Sequence, residues 1–179
     1  MSRQTPTRPG LAVLVAAVLV AALLAGAAVL VARRDTGPAA PSSDPAPSRP
    51  APSSYADVDP DAYAAELLAA ARAAHVAAGL PAWQDAPCVG DLARDRALAL
   101  IGAELTHAPL EDVLTACAPL TTAAENLSRG AAPAADVVAA WDRSPGHRAN
   151  LEDPALTGAR AGCVHDGDLL VCALVLVGP

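Results

Sequence analysis

Few side chains in this chain could do chemistry: four histidines, four cysteines, Ser144 ahead of Pro145, and a scatter of acids. Cysteine offers disulfide bonding or metal ligation. Cys88, Cys117, Cys163 and Cys172 all lie in the C-terminal part, and an even number beyond a signal-like segment reads as two disulfides in an oxidising compartment. Four cysteines allow three connectivities. If Gly167-Asp168 forms a two-residue hairpin turn, Cys163 and Cys172 fall directly opposite each other, which leaves Cys88 with Cys117. A zinc site is the competing reading, but no pair has C-x-x-C spacing. Ser144 lacks a G-x-S-x-G context and reads as a helix cap or turn residue rather than a nucleophile. His75 falls on a predicted helix as a solvated or packing residue, and His165 sits beside the hairpin turn. Asn126-Leu127-Ser128 fits the N-glycosylation pattern.

Several elements must position these groups. Asp59-Pro60-Asp61 combines an N-cap acid, proline at the first helical position and a second acid favoured by the helix dipole. A helix should follow to about Ala78, with Tyr63, Leu67, Ala70, Ala71 and Ala74 at helical spacing and Gly79 and Pro81 as the stop. A second helix is expected over 89–105, where Ala97, Leu98, Ile101 and Leu105 make an apolar stripe while Arg94, Asp95 and Arg96 add charge. Another is expected from Pro133 to Trp141, with Val137, Val138 and Trp141 on one side. Residues 169–177 are nearly continuous Leu, Val and Ala, which suits a strand covered on both faces, with 158–164 as its hairpin partner. Helices first and a terminal hairpin imply an α+β, three-layer α-β-α arrangement without internal repeats.

Ahead of this domain, residues 11–31 form an unbroken Leu, Val and Ala run with one Gly, about 31 Å long as a helix, which matches a bilayer core. It reads as an uncleaved transmembrane anchor following a cytoplasmic segment over 1–10; cleavage as a signal peptide near Ala25-Gly26-Ala27 is the alternative. No cysteine precedes Cys88, which excludes a lipoprotein anchor. Arginines flank both ends of the segment, so charge does not orient it, whereas the cysteines favour a C-terminus outside the cytoplasm. Residues 32–59, dominated by Pro, Ala and Ser, form a linker that cannot build a core. The domain then occupies 60–179. The formal net charge of −7 and the lack of clustered basic residues argue against a nucleic-acid partner. Phe is absent and Trp and Tyr number two each, which also leaves little for base-stacking or sugar-binding shelves.

Four stretches, in order, carry a family resemblance: Ala71-Arg72 through Gly79-Leu80 before Trp83; Leu105-Thr106-His107; Ala124-Glu125-Asn126-Leu127; and Trp141 through Ser144-Pro145-Gly146-His147-Arg148-Ala149-Asn150-Leu151. With the strand-like Thr157-Gly158-Ala159-Arg160-Ala161-Gly162-Cys163, they resemble the short bacterial CAP domains, the SCP-like extracellular domain of cysteine-rich secretory, antigen 5 and pathogenesis-related proteins. The resemblance covers about 60–178. It implies an α-β-α sandwich with a surface cleft of histidines and acids, sometimes around a divalent ion. His107 matches the first cleft histidine, Glu125 the acid of the Glu-Asn motif, and His147 the histidine of Gly-His-Arg. Ser144 stands where many eukaryotic members have a fourth acid, so the full tetrad is not present. Leu170-Val171-Cys172-Ala173-Leu174-Val175 replaces the family's aromatic final strand, so core packing must differ.

Two imidazoles, one carboxylate and a water would make an acceptable zinc set. The separations of 18 and 22 positions carry no local ligand signature, so convergence rests on the resemblance. The alternative is a hydrogen-bonded polar cluster in which Glu125 and Asn126 fix loops over the sheet, with Arg148 and Asn150 holding the motif to neighbouring backbone. The leading expectation is a non-catalytic, membrane-anchored cell-envelope module that binds a small-molecule, lipid or protein ligand at His107, Glu125 and His147. A zinc-dependent hydrolase on the same residues and a lipid or sterol carrier are the rivals; neither a general base nor an oxyanion stabiliser can be nominated. Peptide mapping of the unreduced protein should recover Cys88 linked to Cys117 and Cys163 linked to Cys172, whereas four free thiols would reverse the assignment of compartment.

Overall fold

Asp59 opens the first helix, α1 (Pro60–Ala77), by accepting from the amides of Asp61 and Ala62 at 2.9 and 3.5 Å, as its sequence context predicts. Gly79, at φ +86°, ends the helix in the left-handed region. The computed structural model describes residues 55–179. The expected cytoplasmic segment, the membrane segment over 11–31 and the linker up to residue 54 lie outside the described residues. Among the described residues, no helix is long and apolar enough to cross a membrane. Tyr55 and Val58 already pack on the domain, with the rings of Tyr55 and Tyr63 edge to face at 6.1 Å.

After α1 come a short strand β1 (Gln84–Asp85), a 3₁₀ turn (Pro87–Val89), and helices α2 (Leu92–Leu98) and α3 (Glu111–Ala116). Strand β2 (Thr122–Gly130), helices α4 (Ala134–Arg143) and α5 (Pro145–Leu151), and strands β3 (Gly158–Asp166) and β4 (Leu169–Gly178) complete the domain. The sheet has four strands in the order β1-β3-β4-β2, with β4 antiparallel to both its neighbours and β1 parallel to β3. It is therefore mixed, and β2 is an edge strand.

The alternation along β4 makes the three layers. Leu170, Cys172, Leu174 and Leu176 face a core shared with Leu67 and Ala71 of α1, Val138 and Trp141 of α4 and Leu151 of α5. The intervening Val171, Ala173, Val175 and Val177 face Ala93 and Ala97 of α2 and Val113 of α3. Each of these β4 side chains is at most 2% exposed, so the strand is covered on both faces as its unbroken apolar run predicts. Burying each such Val or Leu contributes about 1.5–3 kcal/mol, and the two apolar faces hold the helical layers apart. Cys163 lies opposite Cys172 across the hairpin and is bonded to it, and Cys88 is bonded to Cys117.

The structure differs from the sequence expectations at three places. The helix expected over 89–105 stops at Leu98, after which Leu100, Ile101 and Ala103 turn back with i to i−3 bonds and Gly102 adopts φ +67°. Arg129 donates to the carbonyls of Leu100 and Ala103 and so holds the turn that follows the helix. Of the expected stripe only Ala97 is buried; Leu98, Ile101 and Leu105 are about two-fifths exposed, at 39, 44 and 42%. Residues 122–130, which carry Glu125 and Asn126, form a strand of the sheet that the sequence expectations did not include. The helix α3 carries no helical signal in the reading above; its buried apolar residue is Val113 alone.

Gly162 lets α2 lie directly on β3. A Cβ there would stand 2.3 Å from the Arg94 amide nitrogen, so the helix backbone would have to move. Gly162→Ala should therefore destabilise the domain by about 1–3 kcal/mol, read as a lowered Tm. Gly146→Ala, where the same atom meets nothing within 4 Å, should leave Tm nearly unchanged.

Candidate functional site

Alternation along β2 sends Glu125 toward the α2 side and Asn126 toward the α5 side, and the site forms where the two sides meet around this edge strand. An uncovered edge would present bare carbonyls and amides. Here the Trp141 indole donates to the Leu127 carbonyl at 2.9 Å, and Asn150 donates to the Glu125 carbonyl at 3.2 Å. Asn150 also donates to the Asn126 side-chain oxygen at 2.9 Å, while the Asn126 amide donates to the His147 carbonyl at 3.1 Å. Asn126 is fully buried, so its fit to a glycosylation pattern has no accessible acceptor in the folded domain. α5 is thus pinned along the edge with His147 at its start. Ser144 occupies the N-cap position before Pro145, but its hydroxyl makes no capping bond. Gly146 has open space about its Cα.

Beneath this edge lies a buried ion pair. The Glu125 side chain is 3% exposed and that of Arg96 is 7% exposed, with Arg96 Nε donating to Glu125 Oε1 at 2.5 Å. The other guanidinium nitrogens donate to the Ala108 and Pro109 carbonyls and to both Asp112 oxygens, at 2.8–3.2 Å. Arg96 therefore ties down the irregular chain between α2 and α3, which carries His107. His107 reaches back, its Nδ1 2.9 Å from Glu125 Oε2. His147 completes the group, with its ring centre 6.4 Å from that of His107 and 6.3 Å from that of Trp141. Burial, and then the neighbouring His107, push the His147 imidazole below the usual histidine value, which favours its neutral form.

The three residues expected to converge do so. Two shallow hollows flank them: one of ≈ 300 Å³ bordered by His107, Leu110, Glu125 and Asn150, the other of ≈ 240 Å³ bordered by Arg96, Leu100, Thr106 and Glu125. As a metal site the set fits poorly. Both Glu125 oxygens are engaged, one of them by a cation, and among the described residues no group of three or more His, Cys, Asp and Glu side chains is placed to hold a metal ion.

Arg96 is the site residue missing from the sequence expectations, where it only adds charge to the second helix. A signal existed: Ala93, Arg96, Ala97 and Leu100 fall at i, i+3, i+4 and i+7, which sets the arginine inside the buried stripe. Arg148 also needs correction, since it pairs with Glu152 at 2.9 Å on the exposed surface instead of holding backbone. Asp142 is exposed and lies 3.9 Å from Arg148. His75 is a packing residue: its Nδ1 is 2.7 Å from the Leu151 carbonyl, and its ring stacks on Trp83 at 4.3 Å. His165 is paired opposite Leu170 in the hairpin and takes no part in the cleft.

Three helices on one side of a mixed sheet, two on the other, and a His-Glu-His cleft at the edge make this the fold of an SCP, or CAP, domain, as the motifs imply. No protein-family model and no curated protein matches the chain. Solved structures do match it. An extracellular protein containing an SCP domain from Bacillus anthracis aligns with a TM-score of 0.58 at 17% identity over 66% of this chain. A cysteine-rich secretory protein from Staphylococcus aureus gives 0.57 at 16% identity over 69%, and an outer surface protein from Borrelia burgdorferi gives 0.56 at 16% over 68%. The match spans 41% of each of the first two proteins and 96% of the third.

Removing one partner of a buried pair leaves an uncompensated charge, which costs about 3–5 kcal/mol. Glu125→Gln should thus lower stability by about 3 kcal/mol in denaturant unfolding. Adding Arg96→Met should restore a substantial part of that loss, because it removes the stranded cation.

Proposed function

We propose that this protein is a membrane-tethered, extracytoplasmic SCP-type module that binds a ligand or partner of the cell envelope at His107, Glu125 and His147, without catalysing a reaction. The observation that carries the proposal is the occupation of Glu125. With one oxygen on Arg96 and the other on His107, the carboxylate organises the cleft and is not free to act as a base or nucleophile. What remains for a ligand is the exposed His107 ring, the partly exposed His147 and the rim of the neighbouring hollow. The extracytoplasmic location is supported by the two disulfides and by the extracellular, secretory and outer-surface proteins that share the fold. Tethering rests on the apolar run over 11–31.

A metal-dependent hydrolase is the second reading, favoured by one contact. A carboxylate bonded to the Nδ1 of a histidine is the arrangement that orients a metal-ligating imidazole through its other nitrogen. Lipid carriage has less support, because the more apolar hollow, at ≈ 240 Å³, is smaller than the roughly 300–1,000 Å³ typical of small-molecule pockets.

A fragment beginning at Ser54 is expected to co-sediment saturably with cell-wall fragments or lipid vesicles prepared from the source cells. His107→Ala and His147→Ala should each weaken that binding about tenfold or more while leaving the circular dichroism unchanged. Zinc-stimulated cleavage of a peptide library, abolished by His147→Ala, would establish the hydrolase in its place.

A further inference from the structure

We infer that Arg96 stands in for a metal ion in this cleft: its guanidinium is the fixed cation that the Glu125 carboxylate needs, and it keeps divalent ions out. This deepens the binding reading given above by assigning the chemistry of the same site. Three observations lead to it. Glu125 is buried and must be compensated by a positive or hydrogen-bonding partner, and Arg96 Nε provides that partner at 2.5 Å. The guanidinium is itself immobilised, with its remaining nitrogens bonded to Ala108, Pro109 and Asp112, so it cannot swing aside to admit an ion. A divalent ion sharing Glu125 with His107 and His147 would have to sit beside this arginine, and two like charges so close in a partly buried site repel strongly.

The same arrangement sets the character of the cleft. Glu125 Oε2 is an acceptor, so His107 donates through Nδ1 and keeps Nε2 as its acceptor. A neutral His147 adds a second imidazole. The cleft therefore suits a ligand that brings its own hydrogen-bond donors, such as hydroxyl, amide or ammonium groups, and it needs no cofactor to do so.

The test uses the full-length protein in detergent, with zinc chloride as the probe. Calorimetric titration of the unchanged protein should show no saturable zinc uptake at micromolar metal, and long-range proton–nitrogen spectra should show His107 in its Nδ1–H form. Arg96→Met should raise zinc affinity about tenfold or more and mix the His107 tautomers, because a repelling charge has gone and Oε1 is free. Arg96→Lys, which keeps the charge but not the fixed fork, should take up less zinc than Arg96→Met. One zinc bound tightly by the unchanged protein and lost in His147→Ala would overturn the inference and leave envelope binding standing. An Nε2–H form of His107 in the unchanged protein would overturn it as well, and that measurement stands even if Arg96→Met fails to fold. Loss of envelope binding without zinc uptake would instead sink the binding reading alone.

Discussion

The cleft depends on one buried ion pair. A carboxylate placed on a sheet strand and sealed from water is tolerated only if a partner satisfies it, and Arg96 does so from the helix packed over the neighbouring strands β3 and β4. Because the guanidinium has donors to spare, the same side chain also gathers the irregular chain between α2 and α3. That segment has no secondary structure of its own to place His107. Its position follows from a charge that had to be neutralised.

The second constraint is the free edge of β2. Its outward carbonyls are met by Trp141 and Asn150 from α4 and α5, and Asn126 returns a bond to the His147 backbone. The motif residues around His147 are thus occupied largely with closing a sheet edge, which holds α5 in place. His107 arrives from one side of the sheet and His147 from the other, and the edge strand is where side chains from both layers can meet. Trp141 of α4 and Trp83, which precedes β1, are buried in the same core as Leu174 and Leu176.

Several elements were legible in the sequence because their signals are local. The Asp59-Pro60 start and Gly79 stop bound α1, the Gly167-Asp168 turn fixes the register that puts Cys163 opposite Cys172, and an unbroken apolar run marks a strand covered on both faces. β2 was not legible. Thr122–Gly130 is mostly polar and lacks alternation, because one edge faces side chains rather than another strand and two of its three buried members, beside Leu127, are Glu125 and Asn126. α2 was read too long, since the expected stripe over Leu98, Ile101 and Leu105 has helical spacing but no layer to cover it.

The site divides in the same way. The chain order of motifs nominated His107, Glu125 and His147, and three residues separated by 18 and 22 positions do converge, but no spacing along the chain could show what Glu125 would be bonded to. Composition and periodicity by themselves determined the apolar faces of α1 and α4, the terminal hairpin and the disulfide across it, all of which arise from neighbours in sequence. Only the tertiary structure decided that Arg96 meets Glu125, and that the carboxylate is therefore spoken for. The reason is physical: a charge's environment depends on the layers packed around it, and those come together from parts of the chain that carry no record of one another.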